Sequence, residues 1–124
     1  MLARQISEPY LYEIRKLQPS QFYINESKLA ACKKWIKAQG DIFVPVGFIE
    51  GKAILLDGHT RVRAAIDLGY EKIFVYHDEH DEHIRDFVEE AMRRGIRSVF
   101  DMEIIGDEEY RVSWYGFCDE YFRY

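Results

Sequence analysis

The sequence predicts a single α+β domain in which a small mixed sheet is flanked by helices. Strand-like and helix-like runs alternate along the 124 residues, which is typical of a sheet covered by helices. Two strand-like runs are joined only by the turn Glu50-Gly51-Lys52, as in a hairpin, so the sheet is not purely parallel. The apolar fraction of 48% and the charged fraction of 31% are those of a folded globular chain. The length fits one domain, 1–124.

The elements follow from the apolar period and the turn residues of each segment. In the N-terminal half we expect a helix over Tyr10–Leu17, a strand over Gln21–Ile24, a helix that Asn25 caps and Gly40 ends, hairpin strands over Phe43–Ile49 and Ala53–Leu56, and a helix over His59–Leu68. In the C-terminal half we expect a strand over Lys72–Tyr76, a helix over Glu79–Arg94, a connection with some β character over Ile96–Ile105, and an aromatic helix over Glu108–Phe122.

Capping residues and apolar stripes account for the helix boundaries. Asparagine is among the best N-cap residues, so Asn25 predicts a helix start, and the apolar stripe Leu29, Cys32 and Ile36 follows it. Gly69 predicts the end of the later helix, because glycine readily adopts the left-handed conformation found at helix C-termini.

The composition excludes several classes of protein. The net charge is −5, from 17 Lys and Arg against 22 Asp and Glu, so the chain does not hold DNA by charge alone. Cys32 and Cys118 are the only cysteines, and we expect both in the core of a protein of the reducing cytoplasm. The sequence has no apolar run of about 18 residues and no apolar leader segment. We therefore expect a cytoplasmic location and no membrane contact.

The helix after Asp57 breaks a charge rule that three of the other predicted helices obey. Helix N-termini carry a partial positive charge and favour acidic residues. Here His59, Arg61 and Arg63 crowd the first turn, and only Asp57, the expected cap, offsets them. A bound anion would satisfy both these cations and the free N–H groups of the turn. Purely structural roles stay open as well: Arg63 pairs with Asp67 four residues later, or Arg61 reaches an acid elsewhere in the fold.

The run from Ile54 to Gly69 resembles the signature of the ParB/sulfiredoxin-like superfamily, in which an apolar strand, a glycine turn with an arginine and a helix follow one another. The flanking segments also resemble that family: Leu17-Gln-Pro-Ser-Gln21 and Val44-Pro-Val46 before the signature, and Ile73-Phe-Val-Tyr76 after it. The resemblance covers residues 17–77. The helical extension 79–124 is similar to that of small bacterial proteins grouped as ParB-like.

The resemblance implies that the turn binds nucleotide phosphates, since partition proteins bind CTP there, sulfiredoxins use ATP, and free serine kinases use ADP. The implied ligand is ATP, ADP or CTP, with or without bound Mg²⁺, and the resemblance implies no structural metal. The residues expected at this phosphate site, which match the turn, its flanks and the segment after Pro19, are Asp57, Gly58, His59, Thr60, Arg61, Arg63 and Gln21.

Two departures from the family pattern bear on catalysis. His59 stands where sulfiredoxins have their catalytic cysteine, and Gln21 stands where the serine kinases have a catalytic glutamate. An amide cannot accept a hydroxyl proton as a carboxylate does. Two functions therefore stay open. One is a nucleotide-binding domain, with phosphotransfer or nucleotide hydrolysis if it is an enzyme; the other is a non-catalytic module that binds a protein or DNA partner.

His77, His80 and His83 recur at every third position and could line one face of a helix as ligands for Zn²⁺ or Ni²⁺. A third ligand at this spacing is angularly awkward on a straight helix. We therefore expect these histidines to be exposed surface residues that hold no metal.

Aromatic side chains dominate the final predicted helix. One stripe holds Tyr110, Trp114, Phe117 and Tyr121, and an adjacent stripe holds Tyr115, Cys118 and Phe122. We expect one stripe to pack on the sheet; the alternative is a face for a protein partner or a second copy of the chain. Trp35 is also expected in the core.

Overall fold

The computed structural model describes residues 7–123, so the first six residues and the last residue of the expected domain lie outside the described part. The strands are Tyr10–Glu13 (β1), Gln18–Pro19 (β2), Tyr23–Asn25 (β3), Phe43–Ile49 (β4), Lys52–Leu55 (β5), Lys72–His77 (β6) and Glu103–Ile105 (β7). The α-helices are Glu26–Trp35 (α1), His59–Asp67 (α2), His83–Arg93 (α3), Asp107–Tyr110 (α4) and Gly116–Tyr121 (α5), with a π-helical turn, Arg111–Tyr115, between α4 and α5.

The main sheet has five strands in the order β1-β6-β4-β5-β2. β1 is antiparallel to β6, and the β4–β5 pair is the antiparallel hairpin that the sequence predicts. β6 is parallel to β4, and β2 is parallel to β5. β3 and β7 form a separate parallel pair. The predicted α+β class, with a mixed sheet flanked by helices, is confirmed.

The two faces of the main sheet pack against different clusters of side chains, and α3 contributes to both clusters. The fully buried Val44, Leu55 and Val75 point into the main core, which also contains residues of α1 and α2. Ile54 points to the opposite face, where it packs against Ile84 and Val88 of α3. The alternation of Ile54 and Leu55 places the end of β5 between two packed layers, and this fixes the turn that follows it.

The helix predicted over Tyr10–Leu17 is wrong. Residues Tyr10–Glu13 form β1, and Ile14–Lys16 form a 3₁₀ turn. Tyr12 pairs with Ile73 of β6, and the Ile14 amide donates to the Glu71 carbonyl at 3.0 Å. Pairing with an existing strand outweighs the local helical period, because strand formation depends on cross-strand neighbours that the local sequence does not contain.

The first long helix is capped as predicted but ends earlier than predicted. The Asn25 side chain accepts from the Lys28 amide at 2.9 Å. α1 ends at Trp35 instead of reaching Gly40, because the Asp41 carboxylate accepts from the Lys37 and Ala38 amides and closes a separate turn.

Two predictions for the C-terminal half also need correction. α3 begins at His83 and not at Glu79, because residues 78–82 form a loop in which the His80 imidazole packs against Gly47. The last helix is interrupted by the π-helical turn, so it is not one continuous α-helix.

The predicted core is only partly correct. Trp35 is 58% exposed and so is not a core residue. Cys32 and Cys118 are half-buried and pack against the core from its rim, whereas Tyr110 and Trp114 are buried in it. Within residues 7–123, no helix has the length and apolar character needed to cross a membrane.

Candidate functional site

The predicted phosphate turn connects the end of β5 to the start of α2. Gly58 is the N-cap of α2 and has a left-handed backbone, with φ at +81°. A Cβ at this position would lie 2.7 Å from Cγ1 of the buried Val44. Both the backbone conformation and the lack of space therefore require glycine here.

Asp57 is not the side-chain cap of α2 that the sequence suggests. Its Oδ1 accepts from the Gly58 amide at 2.8 Å, so the carboxylate folds back over its own turn. It accepts no hydrogen bond from the first amides of α2. The first helical hydrogen bond runs from the Val62 amide to the Gly58 carbonyl at 3.0 Å.

The His59 side chain links the turn to the segment that follows β2. Its imidazole is buried, and Nε2 accepts from the Ser20 amide at 3.1 Å. The Ser20 hydroxyl donates to the Leu55 carbonyl at 2.7 Å, so the segment after β2 is tied to both ends of the turn. Burial lowers the pKa of His59 to about 3. His59 is therefore neutral at physiological pH and does not add the positive charge that the sequence pattern suggests.

The amides of His59, Thr60 and Arg61 face outward at the N-terminus of α2. None of them donates to an acceptor within residues 7–123, as expected for the first turn of a helix without a side-chain cap. The half-buried Thr60 hydroxyl belongs to the same turn. The N-terminus of α2 thus presents three backbone donors at the positive end of the helix dipole, next to Thr60.

The two arginines of the turn have different roles. Arg61 Nη1 donates to the Phe43 carbonyl at 3.0 Å, and Nη2 lies 2.9 Å from the position of a Cβ on Gly58, so this guanidinium lies over the turn. Arg63 Nε instead donates to Asp67 at 3.2 Å, and Lys33 of α1 pairs with the same carboxylate at 2.9 Å. Arg63 belongs to an ion-pair group between α1 and α2, as one of the open alternatives expected.

Gln21 is one residue beyond the segment that is tied to the turn. It directly follows Ser20, whose amide is held by His59, and it is half-buried. The parallel pairing of β2 with β5 makes the two segments leave the sheet at the same end.

A cleft of about 440 Å³ opens next to the turn. Pro45 and Tyr76 line it from the sheet, and the loop between β6 and α3 forms its other side. Of residues 57–61, only Asp57 is part of its lining. That loop adds three carboxylates, Asp78, Glu79 and Asp81. Sequence reasoning missed these acids as site residues, because it assigned them to the first turn of a helix, where acids are common.

Tyr110 of the C-terminal segment lies within electrostatic range of Asp57 in the same turn. Burial raises the pKa of its phenol to about 12, and Tyr115, Cys118 and Asp57 act in the same direction. The hydroxyl is therefore protonated at neutral pH and available as a donor. The aromatic stripe of the final helix predicted that Tyr110 packs in the core, but no local signal linked it to Asp57.

The three histidines do not share a helical face. His77 ends β6 and bonds to the Tyr10 hydroxyl at 2.7 Å, His80 lies in the following loop, and His83 begins α3 and packs against Phe87. His77 and His80 are exposed as predicted, whereas His83 is half-buried. Within the described part of the chain, no three or more His, Cys, Asp or Glu side chains form a group that could hold a metal.

Comparison with known proteins adds evidence for the fold alone. No protein-family model matches the sequence, and no curated protein matches it. Protein Atu1540 from Agrobacterium tumefaciens has a TM-score of 0.54 and 22% identity, over 78% of this chain and 63% of its own. SbnI with a C-terminal truncation, from Staphylococcus aureus, has a TM-score of 0.48 and 23% identity, over 60% of this chain and 31% of its own. The chain spans less than two thirds of either protein.

Proposed function

We propose that the chain binds the phosphates of a nucleotide such as ATP, ADP or CTP at the N-terminus of α2. The observation that carries this proposal is the outward-facing set of amides from His59, Thr60 and Arg61, with the Arg61 guanidinium lying over Gly58. Backbone donors at a helix N-terminus suit phosphate oxygens, and a guanidinium binds phosphate through two parallel hydrogen bonds. The resemblance of this segment to the ParB/sulfiredoxin-like signature supports the same ligand class.

The acidic wall of the cleft explains why the bound species would be a magnesium complex. Asp57, Asp78, Glu79 and Asp81 would repel a bare polyphosphate that enters the cleft. Mg²⁺ prefers oxygen ligands and commonly binds one or two carboxylates together with substrate phosphates. No three of these carboxylates form a metal-binding group by themselves within the described residues, so Mg²⁺ would enter with the nucleotide, held mainly by its phosphates, and would offset their charge beside the acids.

We propose binding without an assigned catalytic step. Phosphotransfer needs a group that orients or deprotonates the acceptor, and Gln21 cannot act as a base. The neutral His59 is occupied by the Ser20 amide and lies in the core. The turn therefore supplies phosphate binding, and an acceptor-activating residue has no assigned position.

Arg61→Ala tests this function. We expect it to weaken binding of the magnesium nucleotide by roughly 10- to 100-fold, since charge-assisted hydrogen bonds are worth about 1.5–3 kcal/mol and 1.4 kcal/mol is one decade. Affinities for ATP, ADP, CTP and GTP, with and without Mg²⁺, can be measured by calorimetry after a thermal-shift panel. Loss of the Phe43 contact should lower the free energy of unfolding by only about 1 kcal/mol.

Arg63→Ala is the matched control, because Arg63 lies on the same helix but pairs with Asp67. It should leave nucleotide affinity within about threefold of the wild type, a difference below 1 kcal/mol. If no nucleotide binds the wild-type chain, or if both variants bind as tightly as the wild type, the phosphate site is disproved.

A non-catalytic module that binds a protein partner is the second candidate function. The C-terminal segment exposes Val112 at 60%, Tyr115 at 46% and Phe122 at 55%, and exposed apolar groups of this kind mark interaction surfaces. The net charge of −5 gives no support to unaided DNA binding. Failure of every nucleotide in the panel would favour this second function.

A further inference from the structure

The outer edge of β1 is an unpaired strand edge within the described part of the chain, because β1 is the terminal strand of the main sheet. The Ile14 amide donates to Glu71 and so points towards β6. Backbone groups alternate in direction along a strand, so those of Leu11 and Glu13 point away from β6. Leu11 and Glu13 therefore each present an N–H and a C=O group for pairing with a further strand.

An apolar row crosses the sheet from this edge. Leu11 pairs with Phe74 of β6, and Phe74 pairs with Phe43 of β4, so the three side chains lie side by side on one face. Leu11 is 46% exposed and Phe43 is 48% exposed. On the same face, α3 packs on Ile54 of β5, at the opposite side of the sheet from β1.

We propose that this edge and row form an interface with a second copy of the chain. Two β1 strands would pair antiparallel about a twofold axis at Leu11. Leu11 would exchange hydrogen bonds with its own counterpart, and the Glu13 amide would donate to the Pro9 carbonyl of the second copy. Proline has no N–H to lose in that position. The two apolar rows would then join into one continuous row across the axis.

The charges along the edge favour a second, antiparallel copy as the occupant. The exposed acid Glu8 precedes β1. At the other end the acid Glu13 pairs with Lys16, and Arg15 follows with its guanidinium over the Phe100 ring, so that end carries one net positive charge. An antiparallel arrangement of two identical strands brings the acidic end of each near the basic end of the other. A parallel arrangement would place like charges together. The interface is isologous, which is the commonest type in homodimers.

Leu11→Lys and Val112→Lys test this interface in the full chain. A lysine at the centre of the edge would bury a charge against its own copy, so Leu11→Lys should raise the dimer dissociation constant by at least about tenfold. Val112, at 60% exposure, lies on the C-terminal surface of the second candidate function, so Val112→Lys tests that competing interface; if β1 is the dimer edge, this variant should dimerise like the wild type. Sedimentation velocity from low micromolar to submillimolar protein measures the association.

Every outcome bears on the proposal. A concentration-dependent wild-type dimer that Leu11→Lys weakens and Val112→Lys retains supports it. A wild type that stays monomeric, a folded Leu11→Lys variant that dimerises normally, or a dimer lost only in Val112→Lys overturns it. If circular dichroism shows that Leu11→Lys does not fold, Leu11→Thr replaces it, because threonine keeps the strand preference and removes the apolar contact. Unchanged dimerisation of Leu11→Thr would then overturn the proposal.

Discussion

At the scale of single residues, the buried imidazole of His59 connects three segments of the chain. It accepts from Ser20 after β2, begins α2, and follows directly on Gly58. A protonated imidazole could not accept that hydrogen bond, and its charge would have to be buried. The turn is therefore held by a side chain that must remain neutral, and this links the geometry of the proposed phosphate site to pH.

The free energy of unfolding should fall as the pH is lowered from neutrality because of His59. Its pKa is about 3 in the folded protein, against an ordinary value of 6.5. Between these values the unfolded chain binds a proton that the folded chain does not. This stabilisation is therefore complete above the ordinary pKa and declines by up to about 1.4 kcal/mol per pH unit below it. Urea unfolding at a series of pH values measures the decline.

Two histidine variants separate this effect from the titration of acids elsewhere. His59→Gln should lower stability at neutral pH and remove the histidine part of the pH dependence. His80→Gln changes an exposed imidazole and should retain the wild-type profile. Identical profiles for the wild type and His59→Gln would contradict the assigned role of the buried imidazole.

At the scale of elements, two glycine turns flank β5: one joins β4 to β5, and the other joins β5 to α2. Gly51 and Gly58 have nearly the same left-handed backbone, with φ at +79° and +81°. A Cβ at Gly51 would meet nothing within 4 Å, whereas a Cβ at Gly58 would overlap Val44. The hairpin turn thus needs glycine for its backbone alone, and the turn before α2 needs it also for space.

Alanine substitution should distinguish these two requirements. Gly51→Ala should cost about 1–2 kcal/mol, the penalty for an L-residue in the left-handed region. Gly58→Ala should cost about 1–3 kcal/mol more, because Val44 is fully buried and its displacement strains the packed core. Chemical denaturation of both variants provides the comparison. Equal costs at the two positions would show that the Val44 contact relaxes freely.

At the scale of the whole molecule, the C-terminal segment is part of the domain core. Trp114 is buried. Its ring centroid lies 5.3 Å from that of Phe22 and 5.8 Å from that of Phe87, and both pairs are edge-to-face. The side-chain amide of Asn25 also donates to the Asp107 carboxylate at 3.0 Å, so the N-cap residue of α1 is bonded to the start of α4. Removal of packing from this segment should therefore destabilise the sheet and the turn before α2 together.

The two tryptophans of the chain provide a matched test of this coupling. Trp114→Ala should lower the free energy of unfolding by about 3–5 kcal/mol, the usual cost of truncating a large buried aromatic residue. Trp35→Ala should cost below about 1 kcal/mol, since Trp35 is 58% exposed. Both variants should unfold in one cooperative transition by fluorescence and circular dichroism. A separate early transition in Trp114→Ala would mean that the C-terminal segment folds as its own unit.

The sequence by itself determined the α+β class, the β4–β5 hairpin, the Asn25 cap, and the turn from Asp57 to Arg61 with its following helix. Each of these depends on local chemistry: a strand period, a glycine turn, or a side chain that accepts from a nearby amide. Local patterns describe such features well because the interacting groups are only a few residues apart.

Only the tertiary structure decided that β1 is a strand, that His59 is neutral, and that acids from a distant loop lie in the cleft. β1 is a strand because β6 lies beside it, and His59 is neutral because the packed core excludes water from it. The acids of the loop after β6 reach the cleft because that loop crosses Gly47 before α3 begins. Pairing, burial and loop course depend on contacts between distant parts of the chain, and a local pattern carries no record of those contacts.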